Sequence, residues 1–203
     1  METNIDNISK KASSTLGFIR RYLHHCPAKT RKSAYISLVR STLEYGAIIW
    51  DPFLQSDIDK LERIQRKAVR FIKRDYRTRT PGCVSQMLSD LDLASLQQRR
   101  KELRLTFIFR IVGGLVPAIP SQHYLTPIRN KRKVKPRQFS DFVATNLVDS
   151  AVTNNNRCFK PTHAKSDTLK HSLFPKTIIE WNHLTDIQVN AVTVEAFKSQ
   201  LKT

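Results

Sequence analysis

Apolar residues recur every three or four positions along residues 35–76, which is the pattern of amphipathic helices. A first helix has an apolar face made of Ile36, Val39, Leu43 and Gly46. Because Pro52 disfavours the helical conformation in the residue before it, we expect this helix to end near Trp50. A second helix has an apolar stripe made of Ile58, Leu61, Ile64, Gln65, Ala68, Phe71 and Ile72. The pattern therefore predicts two helices, each with one face to bury.

The opposite face of the second helix is strongly cationic. Its residues are Lys60, Arg63, Arg66, Lys67, Arg70, Lys73 and Arg74. Side chains of this kind neutralise phosphates and release counterions, which gives affinity for nucleic acid without sequence reading. Tyr76 follows the helix and is placed to stack on bases, whereas Phe71 lies on the apolar stripe and is expected in the core. This face is the main candidate for a binding surface.

Two more long helices are predicted before residue 115. Residues 4–23 carry apolar side chains at helical spacing, and a helix that follows Ser95 is expected to stop at Gly113-Gly114. The polar side of that last helix carries Arg99, Arg100, Lys101 and Arg104, of which Arg99, Arg100 and Arg104 are further candidates for phosphate contacts. Helices that are apolar on one face need each other, so residues 1–116 are predicted to form a basic helical bundle of a mainly α fold.

Residues 117–203 lack the continuous helical periodicity of residues 1–116. Prolines at 117, 120, 127 and 136 interrupt regular structure, and loops with short strands are expected before two short terminal helices, over 176–184 and after Thr193. The sequence RNKRKVKPR (129–137) holds six basic residues in nine. It fits a nuclear-localisation or phosphate-binding tract, in which Lys131, Arg132 and Lys133 are candidate contacts, and it fits a solvated linker equally well. We interpret residues 117–203 as an irregular C-terminal extension.

The net charge of the chain indicates what kind of partner it binds. Thirty-five Lys and Arg stand against 17 Asp and Glu, a net charge of +18, which points to a polyanionic partner, nucleic acid before an anionic membrane. The alternative is a solvated basic surface. Three distant cysteines indicate a reducing compartment, and the N-terminus has no apolar segment of a secretory signal. The longest apolar run, 105–119, is too short and too interrupted to cross a bilayer. We therefore expect a nuclear or cytoplasmic protein that is not secreted.

Catalytic and metal-binding residues are harder to assemble. Asp57 and Asp59 lie at a helix start, where acids complement the helix dipole, and Ser56 with Asp59 has the spacing of a capping box. Ser95 with Gln98 has the same spacing. The possible metal ligands are His24, His25, Cys26, Cys158 and His163, but no CxxC pair is present. We predict no catalytic residue, no metal site and no cofactor.

Several ordered segments of the chain resemble one family. LVRSTLEYGAIIWDP (38–52) and DIDKLERIQRKAVRFI (57–72) resemble the region after the polymerase domain in non-LTR retrotransposon reverse transcriptases of the jockey/CR1 type. Further similarity follows chain order in TLGFIRRYLHHCP, LASLQQRRKELRLTFIFRIVGGL, SLFPKTIIEWNHL and VEAFKSQL. The resemblance spans about Ser13 to Leu201.

This resemblance implies a thumb-like and post-thumb piece of such an enzyme, with residues 1–116 as the thumb-like bundle. The full enzyme of that family is an RNA-directed DNA polymerase, whose palm carries a Tyr-any-Asp-Asp turn. That motif is absent from this chain. Because the chain begins with Met just before the matching region, we expect a fragment or a degenerate copy rather than an enzyme.

Two functions of different classes follow from these observations. The first is a non-catalytic protein that holds an RNA duplex or an RNA/DNA duplex by its backbone, as a thumb does. The second is a helical scaffold that pairs with another protein, such as the polymerase part of a related element; a degenerate fragment without independent activity is the remaining alternative. The cationic face of residues 60–74 discriminates between them, since exposure favours nucleic acid and pairing with internal carboxylates favours the scaffold.

Overall fold

The structure, a computed structural model, describes residues 2–128 and 155–201, and these residues form a mainly α fold, as predicted. The N-terminal helices are α1 (Glu2–Tyr22), α2 (Ala28–Ala34), a π-helical segment (Tyr35–Arg40), α3 (Ser41–Glu44), α4 (Ala47–Trp50), α5 (Gln55–Lys73), α6 (Cys83–Asp90) and α7 (Leu96–Val112). The later helices are α8 (Ser121–Tyr124), α9 (Asp167–Lys170), α10 (Leu173–Asn182), α11 (Asp186–Val189) and α12 (Val194–Gln200). Within the described ranges the short strands expected after residue 117 are replaced by an isolated antiparallel bridge between Pro127 and Phe159.

The chain divides into two compact units, Met1–Arg104 and Leu105–Thr203. We call them the N-terminal and C-terminal units. The division falls inside α7 and not at the boundary of 116/117 that we drew from the sequence. The reason is packing, because Leu105, Ile108 and Ile111 of α7 belong to the apolar core of the C-terminal unit. Within the described ranges, no helix is both long and apolar enough to cross a bilayer.

The core of the N-terminal unit is built on the apolar faces of α1, the π-helical segment and α5. Ile19 of α1, Val39 of the π-helical segment and Leu61 of α5 are all buried in one cluster. Tyr35 is also fully buried, and its hydroxyl donates to Gln65 Oε1 at 3.0 Å. Burial raises the pKa of Tyr35. The buried side of α5 is thus fixed by apolar packing and by a satisfied polar pair.

The first helix predicted in residues 35–76 is interrupted. Gly46 takes the left-handed conformation, with φ of 65°, and separates α3 from α4. Trp50 Nε1 donates to the Tyr45 carbonyl at 2.8 Å across this break. Gly46 therefore serves the turn rather than a continuous apolar face, because glycine adopts positive φ without the steric cost of a Cβ. The end of the helical region at Trp50 agrees with the prediction.

The predicted caps have mixed outcomes. Leu54 is the N-cap of α5 and makes no side-chain capping bond, so the capping box predicted at Ser56 is wrong. Ser95 Oγ accepts from the Gln98 amide at 3.1 Å before α7, as expected of an N-cap. Gly114, with φ of 70°, follows the end of α7 and confirms the predicted stop.

The core of the C-terminal unit surrounds Trp181, which is fully buried. Phe109 and Phe197 stack within the same core, with ring centroids 4.4 Å apart. The Asn182 side chain accepts from the Phe159 amide at 2.9 Å and donates to the Phe159 carbonyl at 2.8 Å. This pairing satisfies a buried amide on both of its polar atoms, so it holds residues 155–160 against α10 without a polar penalty.

Candidate nucleic-acid interface

Helix α5 separates its buried and exposed sides cleanly. Every residue of the predicted apolar stripe is buried, namely Ile58, Leu61, Ile64, Gln65, Ala68, Phe71 and Ile72. The exposed residues of the opposite side include Arg63, Arg66, Lys67 and Lys73. The interpretation of the two faces is therefore confirmed, and the helix presents a row of cations on a side that its own core packing leaves open.

Two lysines of that row are partly neutralised by carboxylates. Lys60 Nζ lies 2.9 Å from Asp57 Oδ1 and 3.0 Å from Asp6 Oδ1, and these hydrogen bonds raise the pKa of Lys60. Lys73 Nζ lies 2.9 Å from Asp90 Oδ2, and that hydrogen bond lowers the pKa of Asp90. The pairs with Asp6 and Asp90 are partly exposed and therefore weak and screened by salt, whereas Asp57 is itself buried beside Lys60. Both lysines thus have carboxylates within the protein that compete with a phosphate.

The centre of the face carries cations without such competitors. Arg63, Arg66 and Lys67 are exposed, and none of them forms an ion pair within the part of the chain that the structure describes. Their positions, three or four residues apart or adjacent, place them together on one side of the helix. These three residues form what we call the open cationic face.

Arg70 has a structural role at the end of the row. Its Nη1 donates to the Thr78 carbonyl at 2.8 Å and to the Asp75 carbonyl at 3.3 Å. The Asp75 carboxylate in turn accepts from the amides of Arg77 and Thr78, and its hydrogen bonds with Thr78 lower the pKa of Asp75. Arg70, a predicted phosphate contact, thus fixes the loop after α5 through its Nη1.

Tyr76 is half exposed but is not an open stacking platform. The guanidinium carbon of Arg20 lies 5.5 Å from the centroid of its ring. One face of the ring is therefore engaged in a cation–π contact, which leaves the other face and the edge for a ligand.

Arg74 is exposed and adopts the left-handed C-cap conformation of α5, with φ of 57°. Its Nη2 donates to the His24 carbonyl.

Two of the three arginines predicted on α7, Arg100 and Arg104, are internal, which corrects that part of the predicted site. Arg100 Nε donates to Asp51 Oδ1 at 2.8 Å, and Arg104 Nη1 pairs with Asp51 Oδ2. All three side chains are at least nine-tenths buried. Arg99 makes a two-point pair with Glu44 that raises the pKa of Arg99. Arg100 and Arg104 are buried and paired, so they are not available to phosphates, whereas Arg99 stays partly exposed beside Glu44.

The sequence contained an indication of this outcome. Leu96, Arg100, Arg104 and Ile108 are each four residues apart and so share one stripe of α7. Leu96 and Ile108 are fully buried. Cations in line with buried apolar residues indicate internal ion pairs rather than a solvated side.

The remaining predicted contacts, Lys131, Arg132 and Lys133, lie outside the described residues. Sequence reasoning also missed a group of cations. Arg20 and Arg21 of α1 and Arg31 of α2 line one cavity together with Arg74. The available indication was that residues 10–40 hold eight Lys and Arg and no acid.

The candidate metal ligands do not converge on one point, although the rings of His24 and His25 contact each other. Among the described residues, no three His, Cys, Asp or Glu side chains converge as a metal site would require. Asp57 is buried and pairs with Lys60, while Asp59 accepts from Gln55 Nε2 at 3.0 Å. Both acids at the start of α5 are thus engaged in contacts within the protein.

Comparison of the chain with known protein families, with curated proteins and with solved structures found no match in any of the three.

Proposed function

We propose that this chain binds nucleic-acid duplexes through their phosphate backbone and does not catalyse a reaction. The observation that carries the proposal is the open cationic face of α5, where Arg63, Arg66 and Lys67 lie exposed with no carboxylate partner among the described residues. A net charge of +18 adds long-range attraction for a polyanion. An RNA duplex or an RNA/DNA duplex is the expected partner, in keeping with the family that the sequence resembles.

The cationic side of α5 extends beyond the open cationic face, from Arg63 to Arg74, and its length suits a duplex backbone. Arg63 and Arg74 are eleven residues apart, so they are separated by about 16 Å along the helix axis at about 1.5 Å per residue. A duplex carries one phosphate charge per about 1.7 Å of its axis, which gives roughly nine phosphates over that length. About six phosphates therefore lie within reach of the cations between Arg63 and Arg74 and of the residues beside them.

We expect binding with little sequence preference and a steep dependence on salt. If about six phosphates are neutralised, a plot of log K against log salt has a slope near −5 for a B-form duplex. Affinity then falls by about 10³-fold between 50 and 200 mM salt. The measurement is fluorescence anisotropy with two duplexes of unrelated sequence over that salt range.

A matched pair of variants localises this effect. R63A/R66A/K67A removes the open cationic face and is expected to reduce the slope by about three units, roughly one per phosphate contact. K165A/K170A/K198A removes the same charge from exposed positions of the C-terminal unit and serves as the control. Equal effects of the two variants would contradict the assignment to α5, and a flat slope in the parent chain would contradict the proposal itself.

We expect no nucleotide incorporation by the purified chain with Mg²⁺ or Mn²⁺. Polymerases hold two metal ions with paired acids, and here Asp57 is buried against Lys60. The measurement is primer extension on an RNA template. Template-dependent synthesis that disappears in D57N/D59N would contradict the prediction that the chain does not polymerise nucleotides.

A second candidate, pairing with another protein, is supported by a different surface. Tyr45 and Ile49 are 84% and 82% exposed, and they line a shallow groove together with Ile8 and Trp50. Apolar side chains grouped in this way occur at protein interfaces. Two results together would favour this candidate over the first. The chain would fail to bind duplexes, and sedimentation of the same samples would show self-association that depends on concentration.

A further inference from the structure

A cavity of about 700 Å³ in the N-terminal unit has four arginines among its eight lining residues. Its lining comes from the C-terminal part of α1, from α2 and from the end of α5 and the loop after it. The polar lining residues are Arg20, Arg21, His24, Arg31, Arg74 and Tyr76. Four guanidinium groups thus share one cavity, and no acidic side chain belongs to its described lining. The volume lies within the range of small-ligand pockets.

Arg31 gives this cavity a buried charge. The residue is only 4% exposed, and its Nη1 donates to the Phe71 carbonyl at 2.9 Å. Its guanidinium carbon lies 5.5 Å from the centroid of the Phe71 ring. Its Nε is buried and has no hydrogen-bond partner in the described part of the chain. A buried guanidinium is normally paired with a carboxylate, so an incompletely satisfied one beside a cavity favours an anionic ligand there.

A purely structural role explains only part of this arrangement. The bond from Arg31 to the Phe71 carbonyl satisfies the C-terminal end of α5, where cations complement the helix dipole. That role needs one guanidinium. It accounts neither for the buried Nε nor for Arg20, Arg21 and Arg74 in the same lining.

The neighbouring arginines are held in place as well. Arg74 is anchored by its bond to the His24 carbonyl, and Arg20 lies over the ring of Tyr76. The proximity of Arg74, together with burial as the larger cause, lowers the pKa of Arg31. Like charges gathered without counterions repel each other, so binding of a multiply charged anion relieves repulsion that the fold otherwise bears.

We propose that this cavity binds the terminal phosphomonoester of a 5′-phosphorylated nucleic-acid strand. A phosphomonoester carries close to two negative charges and three free oxygens, whereas an internal phosphodiester carries one charge. The planar forks of several guanidiniums match such a group with charge-assisted, two-point hydrogen bonds. Tyr76 belongs to the same lining, and the ring face that Arg20 leaves open offers stacking to the first base. The inference rests on the proposed binding of nucleic acid and names the group that a particular site takes.

The test compares two duplexes that differ only in a 5′-phosphate or a 5′-hydroxyl, titrated against the full chain by anisotropy of a 3′ fluorophore. The phosphorylated duplex is expected to bind about tenfold tighter or more, the effect of one or more charged hydrogen bonds. A nucleoside 5′-monophosphate is added as a competitor, because it carries the same chemistry without a strand. Competition only at a large excess supports the strand end, whereas affinity equal to that of the duplex would assign the site to free nucleotides and overturn the proposed source.

Variants on one helix separate the cavity from general charge. R20A/R21A removes two exposed lining residues and is expected to bring the ratio of the two affinities close to one. K10A/K11A removes equal charge from exposed positions of the same helix, outside this cavity, and is expected to leave the ratio unchanged. Arg74→Gly, which suits the left-handed φ at that position, is an independent second variant with the same expected loss of preference.

The outcomes distinguish this inference from the proposed function. Equal binding of the two duplexes by the parent chain overturns the 5′-phosphate site and leaves backbone binding intact. No binding of either duplex at low salt overturns both. A preference that survives unchanged in R20A/R21A and in Arg74→Gly overturns the assignment to this cavity.

Discussion

Replacing Asp51 with alanine is expected to destabilise the N-terminal unit by about 3–5 kcal/mol, the cost of breaking a buried ion pair from one side. Asp51 joins Arg100 and Arg104, and all three side chains are 7% exposed or less. Both terminal nitrogens of Arg100 are already buried without hydrogen-bond partners among the described residues. Loss of Asp51 therefore leaves the Arg100 guanidinium in the interior without the carboxylate with which it pairs. Urea unfolding of the full chain followed by circular dichroism measures the effect.

Two comparisons show whether the orphaned charge is the cause. Asp59→Ala removes a less buried carboxylate from the first turns of α5 and is expected to cost at most about 1 kcal/mol, the size of a helix-dipole effect. D51L/R100M/R104M replaces the whole ionic group by apolar residues and is expected to recover most of the stability, because removing both charges also removes their desolvation cost. A small effect of Asp51→Ala, or no recovery in the triple variant, would contradict this account.

The same ionic group shows that the partners of buried cations were not predictable from the sequence. The partners Asp51 and Arg100 are 49 residues apart, and no local pattern pairs them. One stripe of α7 holds two arginines between Leu96 and Ile108, and this spacing indicated that they lie on the buried side. Local spacing thus identifies the helix and its buried stripe, but it does not identify the carboxylate that pairs with each cation. The candidate contacts Arg100 and Arg104 were wrong because we assigned them to the polar side of α7.

Helix α5 shows the opposite case. Its apolar positions follow the helical period without exception, so the buried face was predictable from the sequence alone. The cationic side followed from it, because cations stay in water unless they are paired. What the sequence did not predict is the partner of each cation, such as Asp6 for Lys60. Pairings of that kind depend on which helix packs alongside.

The break at Gly46 and the arginine cavity were not predicted, for two different reasons. At Gly46, helical spacing favoured a continuous apolar face, but the left-handed conformation of a single glycine overrode it. In the cavity, Arg20 and Arg31 meet Arg74 only after α1 and α2 pack near the end of α5. The sequence between Lys10 and Arg40 indicated excess positive charge. It did not indicate where in space that charge would gather.

Leu61→Ala and Arg66→Ala are expected to separate stability from binding on the two sides of α5. Leu61 is fully buried in the core of the N-terminal unit, so truncation is expected to cost about 2–5 kcal/mol from lost burial and the cavity left behind. Arg66 is exposed on the open cationic face. Its loss is expected to change stability by no more than about 0.5 kcal/mol, as at an ordinary surface site.

Binding is expected to respond in the opposite order. Arg66→Ala weakens binding to all duplex sequences alike and reduces the salt slope by about one unit, because a backbone contact carries no sequence information. Leu61→Ala, measured at a temperature where the variant is still folded, keeps the slope of the parent chain, since Leu61 offers no charge to a phosphate. Thermal melting and anisotropy titration of both variants beside the parent provide the two readouts. If Arg66→Ala unfolds the chain while Leu61→Ala has no effect on melting, the faces of α5 are assigned backwards. The open cationic face would then be internal, and α5 would have no exposed surface with which to bind a duplex backbone.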